Sequence, residues 1–263
     1  MNRACACFAP SPWLASKNFD MKKFSSESDL VIDLGMNNGD DTAYYLARGF
    51  KVVSIEANPQ LCEHAKKRFA GAVANGQLSI INAAVSDSES EQVFYVNTVN
   101  DHLSSLDAAC ASRDGDPLNP VSVQGLLLSS LFSKVGVPLY LKVDVEGADE
   151  MVLDQLSTVH IKPQYLSVED CRFGFRYIEK MSSLGYEGFQ IVDQSLVPSM
   201  KDPFIEWSFA AGASGPFGEA LRSPWMTGEE LLEHYSRVVR TREGVRLAPR
   251  THWWDIHARG AVA

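Results

Sequence analysis

Val31-Ile32-Asp33-Leu34-Gly35-Met36-Asn37-Asn38-Gly39 is the stretch on which the fold turns. Leu30 to Leu34 is a short apolar run, the mark of a buried strand, with Asp33 near its end. Gly35 and Gly39 bracket a tight turn, since glycine accepts positive φ and lets a ligand approach bare backbone. Asp40-Asp41-Thr42-Ala43-Tyr44-Tyr45-Leu46 then reads as a helix start. Strand, glycine loop and helix make the first half of a nucleotide-binding βαβ unit.

The spacing identifies the kind of nucleotide. Gly35-x-Asn37-x-Gly39 is not the G-x-G-x-x-G of dinucleotide sites. Asp40 and Asp41 fall at the helix N-terminus, where a pyrophosphate would rest. Carboxylates there suit the helix dipole and repel phosphate. A ligand with adenosine, no phosphate and a cationic centre fits better, and S-adenosylmethionine has that description. Lys51-Val52-Val53-Ser54-Ile55-Glu56 is a second strand ending in an acid. Glu56 follows Asp33 at about the 20-residue spacing of the acid that accepts hydrogen bonds from ribose hydroxyls.

Four segments occur in order: Val31 to Gly39, Ser54-Ile55-Glu56-Ala57-Asn58-Pro59, Asn82-Ala83-Ala84-Val85-Ser86-Asp87, and Leu141-Lys142-Val143-Asp144-Val145-Glu146-Gly147. Together they resemble the FkbM family of S-adenosylmethionine-dependent methyltransferases, over residues 29–170. The resemblance implies a class I methyltransferase fold: a Rossmann-like, doubly wound α/β sheet, mostly parallel, with an antiparallel last strand. It also implies O-methylation of a hydroxyl on a small molecule or a sugar- or lipid-linked substrate. Asp33, Gly35, Asn37, Gly39, Thr42, Glu56, Ala57, Asn82, Ala83 and Asp144 become the candidate donor-binding residues, with Asn82-Ala83 at the adenine edge. Two departures stand out. Val121-Ser122-Val123-Gln124-Gly125-Leu126 has no acid where the family commonly shows threonine-leucine-aspartate, and Ala148-Asp149 replaces the usual glutamate ending.

Methyl transfer is an in-line displacement that rests on positioning. Asp144 is the first candidate for taking the hydroxyl proton, because its strand end points at the donor; Glu146 and His102 are the others. The acids of the fourth and fifth strands also raise a divalent cation. Asp144, Glu169 and Asp170 offer the hard oxygen ligands that magnesium takes, as in catechol-type methyltransferases. The plainer reading, which we favour, is that these acids bind substrate hydroxyls or pair with Lys142 and Arg172. Two other function classes stay open on sequence alone: an NAD-dependent oxidoreductase, and a non-catalytic protein retaining the fold.

The chain has 263 residues, 45% hydrophobic and 22% charged, enough for one sizeable α/β domain. A net charge of −9 argues against a broad basic face for nucleic acid and favours a neutral or cationic small substrate. The five cysteines, Cys5, Cys7, Cys62, Cys110 and Cys171, are odd in number and irregular in spacing, as expected in a reducing, cytoplasmic compartment. No apolar run has the length to span a bilayer, and the N-terminus lacks the apolar core of a signal peptide.

Residues 1–28 read as an extension whose Trp13, Phe19 and Phe24 pack on the domain or on a second subunit, and 29–263 as the methyltransferase domain. Within it, further helices are expected at Pro59–Phe69, Leu126–Val135 and Phe173–Leu184. Strands are expected at Leu78–Ile81, Val93–Val96 (in an added hairpin), Pro138–Asp144, Tyr165–Asp170 and Gly188–Val192, and a loop at 111–120. Residues 194–249 form a lid-like insertion. Its first part, to 226, is rich in proline and aromatics and is expected to fold over the catalytic face; Thr227-Gly228-Glu229-Glu230 is a capping box opening a helix to about Val239. The alternating His252-Trp253-Trp254-Asp255-Ile256-His257-Ala258 supplies the last strand.

Overall fold

A computed structural model describes residues 27–112 and 115–261. The expectations for Trp13, Phe19, Phe24, Cys5 and Cys7 lie outside the described residues. The strands are β1 Glu27–Leu34, β2 Lys51–Glu56, β3 Leu78–Asn82, β4 Ala84–Val85, β5 Glu91–Asn97, β6 Leu118–Leu126, β7 Pro138–Val143, β8 Tyr165–Glu169, β9 Gly188–Asp193 and β10 Trp254–Arg259. The helices are α1 Asp40–Ala47, α2 Pro59–Arg68, α3 Ala70–Ala74, α4 Ala108–Ala111, α5 Leu128–Val135, α6 Asp149–Thr158, α7 Gly174–Leu184 and α8 Gly228–Val238.

Seven strands form one sheet in the order β3-β2-β1-β7-β8-β10-β9. All pair in parallel except β10, which runs antiparallel to both β8 and β9. This is the class I methyltransferase sheet. Its order reverses between β1 and β7, so the loops after these strands diverge and a crevice opens at their carboxyl ends.

Two apolar layers sandwich the sheet. On one face Ile32, Leu34, Leu141, Val143, Leu166 and Val168 pack with side chains of α5 to α8. On the other, Val31, Val52 and Tyr140 meet Tyr44 and Tyr45 of α1 and Phe209, Phe217 and Leu221 of the insertion. Phe217 stacks on Tyr140 at 3.9 Å and 7°. Most of the insertion therefore covers sheet rather than active site, because its aromatics gain more by burial than by lining a wet cleft. One cross-strand row on this second face is polar from end to end: Ser54, Asp33, Lys142, Ser167, His257 and Gln190 are successive register partners, all buried.

The hairpin after β3 is real, and longer than the sequence suggests. β6 starts at Leu118, inside the stretch 111–120 expected to be loop. Pro120 is tolerated there because its partner Tyr95 turns its own N–H and C=O away, to Ser105. The segment joining β5 to β6 carries α4 and a 3-10 turn, Asp101–Leu103, to the mouth of the crevice. The capping box at Thr227 forms as expected and opens α8. Among the described residues no helix is long and apolar enough to cross a membrane.

Candidate active site

The crevice is a cleft of about 610 Å³ at the carboxyl ends of β1, β2, β7, β8 and the start of β10. The backbone bend after β1 shapes one wall. Gly35 and Met36 both donate N–H bonds to the Ile55 carbonyl, at 3.0 and 3.1 Å. Gly35 has φ +83°, and a Cβ on it would fall 1.8 Å from the Asp144 carbonyl oxygen. No other residue lets the ends of β1 and β7 come this close.

Glu56 stands beside the bend. Its Oε2 accepts from the Asn37 N–H at 2.8 Å and its Oε1 from the Asn58 N–H at 2.7 Å. Each oxygen keeps a lone pair for a hydroxyl in the cleft. Burial lifts the Glu56 pKa to about 7, against the pull of these N–H donors. Ala57, Ala83, Ala84, Val85 and Phe94 continue the wall as an apolar slot. The Asn82 amide turns away from it, donating to the carbonyls of Glu56 and Ala57 at 2.9 and 3.0 Å. Asn82 thus ties the ends of β2 and β3 together, and Ala83 is the residue that reaches the cleft.

Behind the bend lies a charged hub. Lys142 is buried, with Nζ at 3.0 Å from Asp144, 3.5 Å from Asp41 and 3.7 Å from Asp33. Burial alone would depress its pKa; the carboxylates of Asp144, Asp33 and Asp41 outweigh that and hold it well above the ordinary lysine value. Asp33 also accepts from Thr42 Oγ1 at 2.7 Å, and Thr42 Oγ1 meets Ser54 Oγ at 2.8 Å. Burial raises the Asp33 pKa to about 6, with Lys142 opposing. Asp33 and Thr42 sit beneath the cleft and support its wall. Gly39 opens α1 with φ +82°, backed by the Phe69 ring, also away from the cleft.

Asp144, Glu146 and His102 all line the cleft. His102, on the 3-10 turn, is exposed and faces Gly212 of the insertion across the mouth. Two residues of the lining, Asn37 and Glu146, hold positive φ of 48° and 43°, and Cys171 and Arg172, just after β8, hold 40° and 76°.

The suggested cation set of Asp144, Glu169 and Asp170 does not assemble. Asp170 is buried away from the cleft, where it accepts from the Tyr235 hydroxyl and from the Gly174 N–H at 3.1 Å. A backbone that caps α7 with this carboxylate cannot also aim it at the crevice. Asp144 is taken by Lys142. Among the described residues Glu146, Glu169 and Cys171 are the acid and thiol groups that do converge, within 4.8 Å. The Cys171 thiol, raised by burial and by the neighbouring acids, stays protonated and donates to Glu169 at 3.4 Å.

Several cleft residues had no mark in the sequence reading. Asp255, from the start of β10, lies on the floor, and Gln194, Ser214, Arg250 and Trp253 complete the far wall. Asp255 was discoverable: it alternates with His257 and so shares a face with the polar row. Gln194 follows β9 in a 3-10 turn and carries no local signal.

The methyltransferase FkbM domain matches residues 33–208. The chain belongs to the FkbM methyltransferase family. This decides against the NAD-dependent oxidoreductase, and the family implies S-adenosylmethionine as methyl donor. Three solved structures similar to this FkbM methyltransferase can be named. The precorrin-6y C5,15-methyltransferase from Geobacter metallireducens is 9% identical, with 90% of this chain and 82% of that chain covered and a TM-score of 0.39. The StiE O-MT is 11% identical, with 89% and 69% covered and a TM-score of 0.42. An rRNA methylase from Streptococcus thermophilus is 12% identical, with 90% and 89% covered and a TM-score of 0.37. Comparison with curated proteins yields no match.

Proposed function

We propose that this FkbM methyltransferase transfers a methyl group from S-adenosylmethionine to a hydroxyl oxygen of a small molecule or of a sugar- or lipid-linked acceptor. The observation that carries the reading is the Glu56 carboxylate, gripped by two backbone N–H groups at the cleft wall beside the Gly35 bend. Its remaining lone pairs suit the two ribose hydroxyls, and the slot of Ala57, Ala83 and Phe94 suits adenine. Gly35, Asn37 and Asp144 border the place for the methionine portion. When bound, the donor supplies a methyl carbon activated by a positively charged sulfur.

The chain's own residues then have three tasks. The Asp144 carboxylate, 3.0 Å from the Lys142 ammonium group, orients the acceptor hydroxyl and takes its proton; Glu146 and His102, which line the same cleft, are the alternatives. Ser105 fixes the Glu146 loop by donating to its carbonyl at 2.6 Å. The hairpin on one side and Gly212 and Ser214 of the insertion on the other shield the reacting atoms from water. The thiols of Cys62 and Cys171, outside any disulfide, accord with a cytoplasmic home.

Calorimetric titration tests the reading. S-adenosylmethionine and S-adenosylhomocysteine should bind, NAD should not, and Glu56→Ala should abolish donor binding while the fold survives. Release of S-adenosylhomocysteine across a panel of hydroxyl acceptors then checks the transfer. Tighter binding of NAD than of the methyl donor would end the proposal.

A further inference from the structure

The far wall of the cleft is made by two chain segments fixed to each other. Gln194 follows β9 and Trp253 precedes β10, and the Gln194 N–H donates to the Trp253 carbonyl at 2.8 Å. Asp193 locks the joint. One of its oxygens accepts from the Ser195 N–H at 3.0 Å and from the Ser195 hydroxyl at 2.7 Å, and the other meets Nδ1 of His252. Gln194 and Trp253 each follow a member of this Asp193–His252 pair, so both are held in place before any ligand arrives, which lowers the cost of binding one.

Gln194 is 2% exposed and lines the cleft. Neither its amide nitrogen nor its amide oxygen has a hydrogen-bond partner among the described residues, and solvent reaches neither atom. A buried donor and acceptor left unpaired destabilise the free chain, and an apolar side chain of the same shape would not. The last torsion of glutamine is broad, so the amide can turn to a partner that enters the cleft. Both of its ends need one, which restricts the ligand. A carboxylate or phosphate only accepts and leaves the Gln194 oxygen unpaired; an ammonium group only donates and leaves the nitrogen unpaired. Hydroxyls donate and accept, and two on adjacent carbons serve both ends. Trp253, 40% exposed on the same wall, offers an apolar face to the ring that bears them.

Resting on the proposed methyl transfer, we infer that Gln194 is a specificity-determining residue of the acceptor site: its amide grips two adjacent hydroxyls of a saturated ring, set against Trp253, beside the hydroxyl that is methylated. The oxygen of the amide accepts from one hydroxyl and the nitrogen donates to the other. Ring polyols are thereby selected, and an isolated alcohol, which leaves one end of the buried amide unpaired, is held more weakly. Asp193 and His252 are positioning residues for this grip.

The test uses the full chain saturated with S-adenosylhomocysteine. trans-Cyclohexane-1,2-diol and cyclohexanol, alike except for the second hydroxyl, are titrated by calorimetry. The diol should bind about fivefold more tightly or better, the worth of one further hydrogen bond. Gln194→Met, close to glutamine in shape, should erase that preference without changing S-adenosylhomocysteine affinity. The same substitution should raise the melting temperature of the free chain, because the unpaired amide is gone. Equal affinities, undetectable binding of the diol, or a preference that survives Gln194→Met overturns the inference. A melting temperature lowered by Gln194→Met, or failure of that variant to fold, would show the amide bonded within the fold and overturns it as well. Failure of S-adenosylhomocysteine to bind the unaltered chain would instead strike the methyltransferase reading. The melting comparison needs no ligand, so the two failures are distinguishable.

Discussion

The Nζ of Lys142 stands 3.0 Å from Oδ2 of Asp144, joining the penultimate part of β7 to the first residue beyond it. The same ammonium group faces Asp33 and Asp41, so one buried cation serves three acids. Such a cluster stabilises only while complete, since removing one partner strands the others in a low dielectric.

Lys142→Met should therefore cost about 3–5 kcal/mol of stability, the usual penalty for leaving buried charge uncompensated. Urea denaturation at pH 7 measures it. A loss below about 1 kcal/mol would show that Asp33 and Asp41 are neutral without Lys142 and that the hub is not what holds the bend.

Asp144→Ala should lower turnover by about 10²–10⁴-fold, the range for removing a positioned proton acceptor, while S-adenosylhomocysteine affinity stays within a few-fold of the unaltered chain. Single-turnover kinetics with a competent acceptor checks this. Unchanged turnover would transfer the role to Glu146 or His102, which the same measurement on their alanine variants separates.

Donor binding should depend on pH through Glu56. Burial first, opposed by the Asn58 and Asn37 N–H groups, places its pKa at about 7 in the free protein. Ribose hydroxyls donate to the ionised carboxylate, so affinity should rise as pH climbs to about 7 and level off above it. Below that point it should fall by up to about tenfold per pH unit. Titrations from pH 5.5 to 8.5 (about the span around that value) measure the profile. Glu56→Gln should bind more weakly with a flat profile, and a sloped one would assign the titration elsewhere.

Asp255→Asn should make the free protein more stable at neutral pH, by about 0.5–2 kcal/mol, as expected where a binding site keeps an unfavourable charge. Burial, then the charges of Asp144 and Glu169, hold the Asp255 pKa well above the usual carboxylate range. A raised acid binds a proton more tightly folded than unfolded. Its contribution to stability is thus lost as pH rises from its unfolded value toward its folded one. Asp33, lifted by burial to about 6, acts in the same direction. Melting temperatures between pH 5 and 8 should decline for the unaltered chain and decline less for Asp255→Asn.

The secondary structure was legible where the signal is local. β2 runs from Lys51 to Glu56 as read, α7 and β9 match within a residue, and the capping box at Thr227 forms. The start of β6 was hidden because Pro120 reads as a loop residue until its partner is known to face away. Of the candidate site residues, Gly35, Asn37, Glu56, Ala57, Ala83, Asp144, Glu146 and His102 share one cleft. Asp33, Thr42, Gly39 and Asn82 support it from behind, a distinction that spacing along the chain does not contain.

By itself the amino-acid order determined the βαβ opening, the doubly wound sheet and the family, because glycine spacing, strand-end acids and capping boxes are short-range patterns. Only the tertiary structure decided that Asp255 faces Glu169, that Lys142 serves three acids and that Gln194 reaches the cleft. Strand register and buried charge pairing join residues far apart in the chain, and a one-residue slip would turn each side chain to the opposite face.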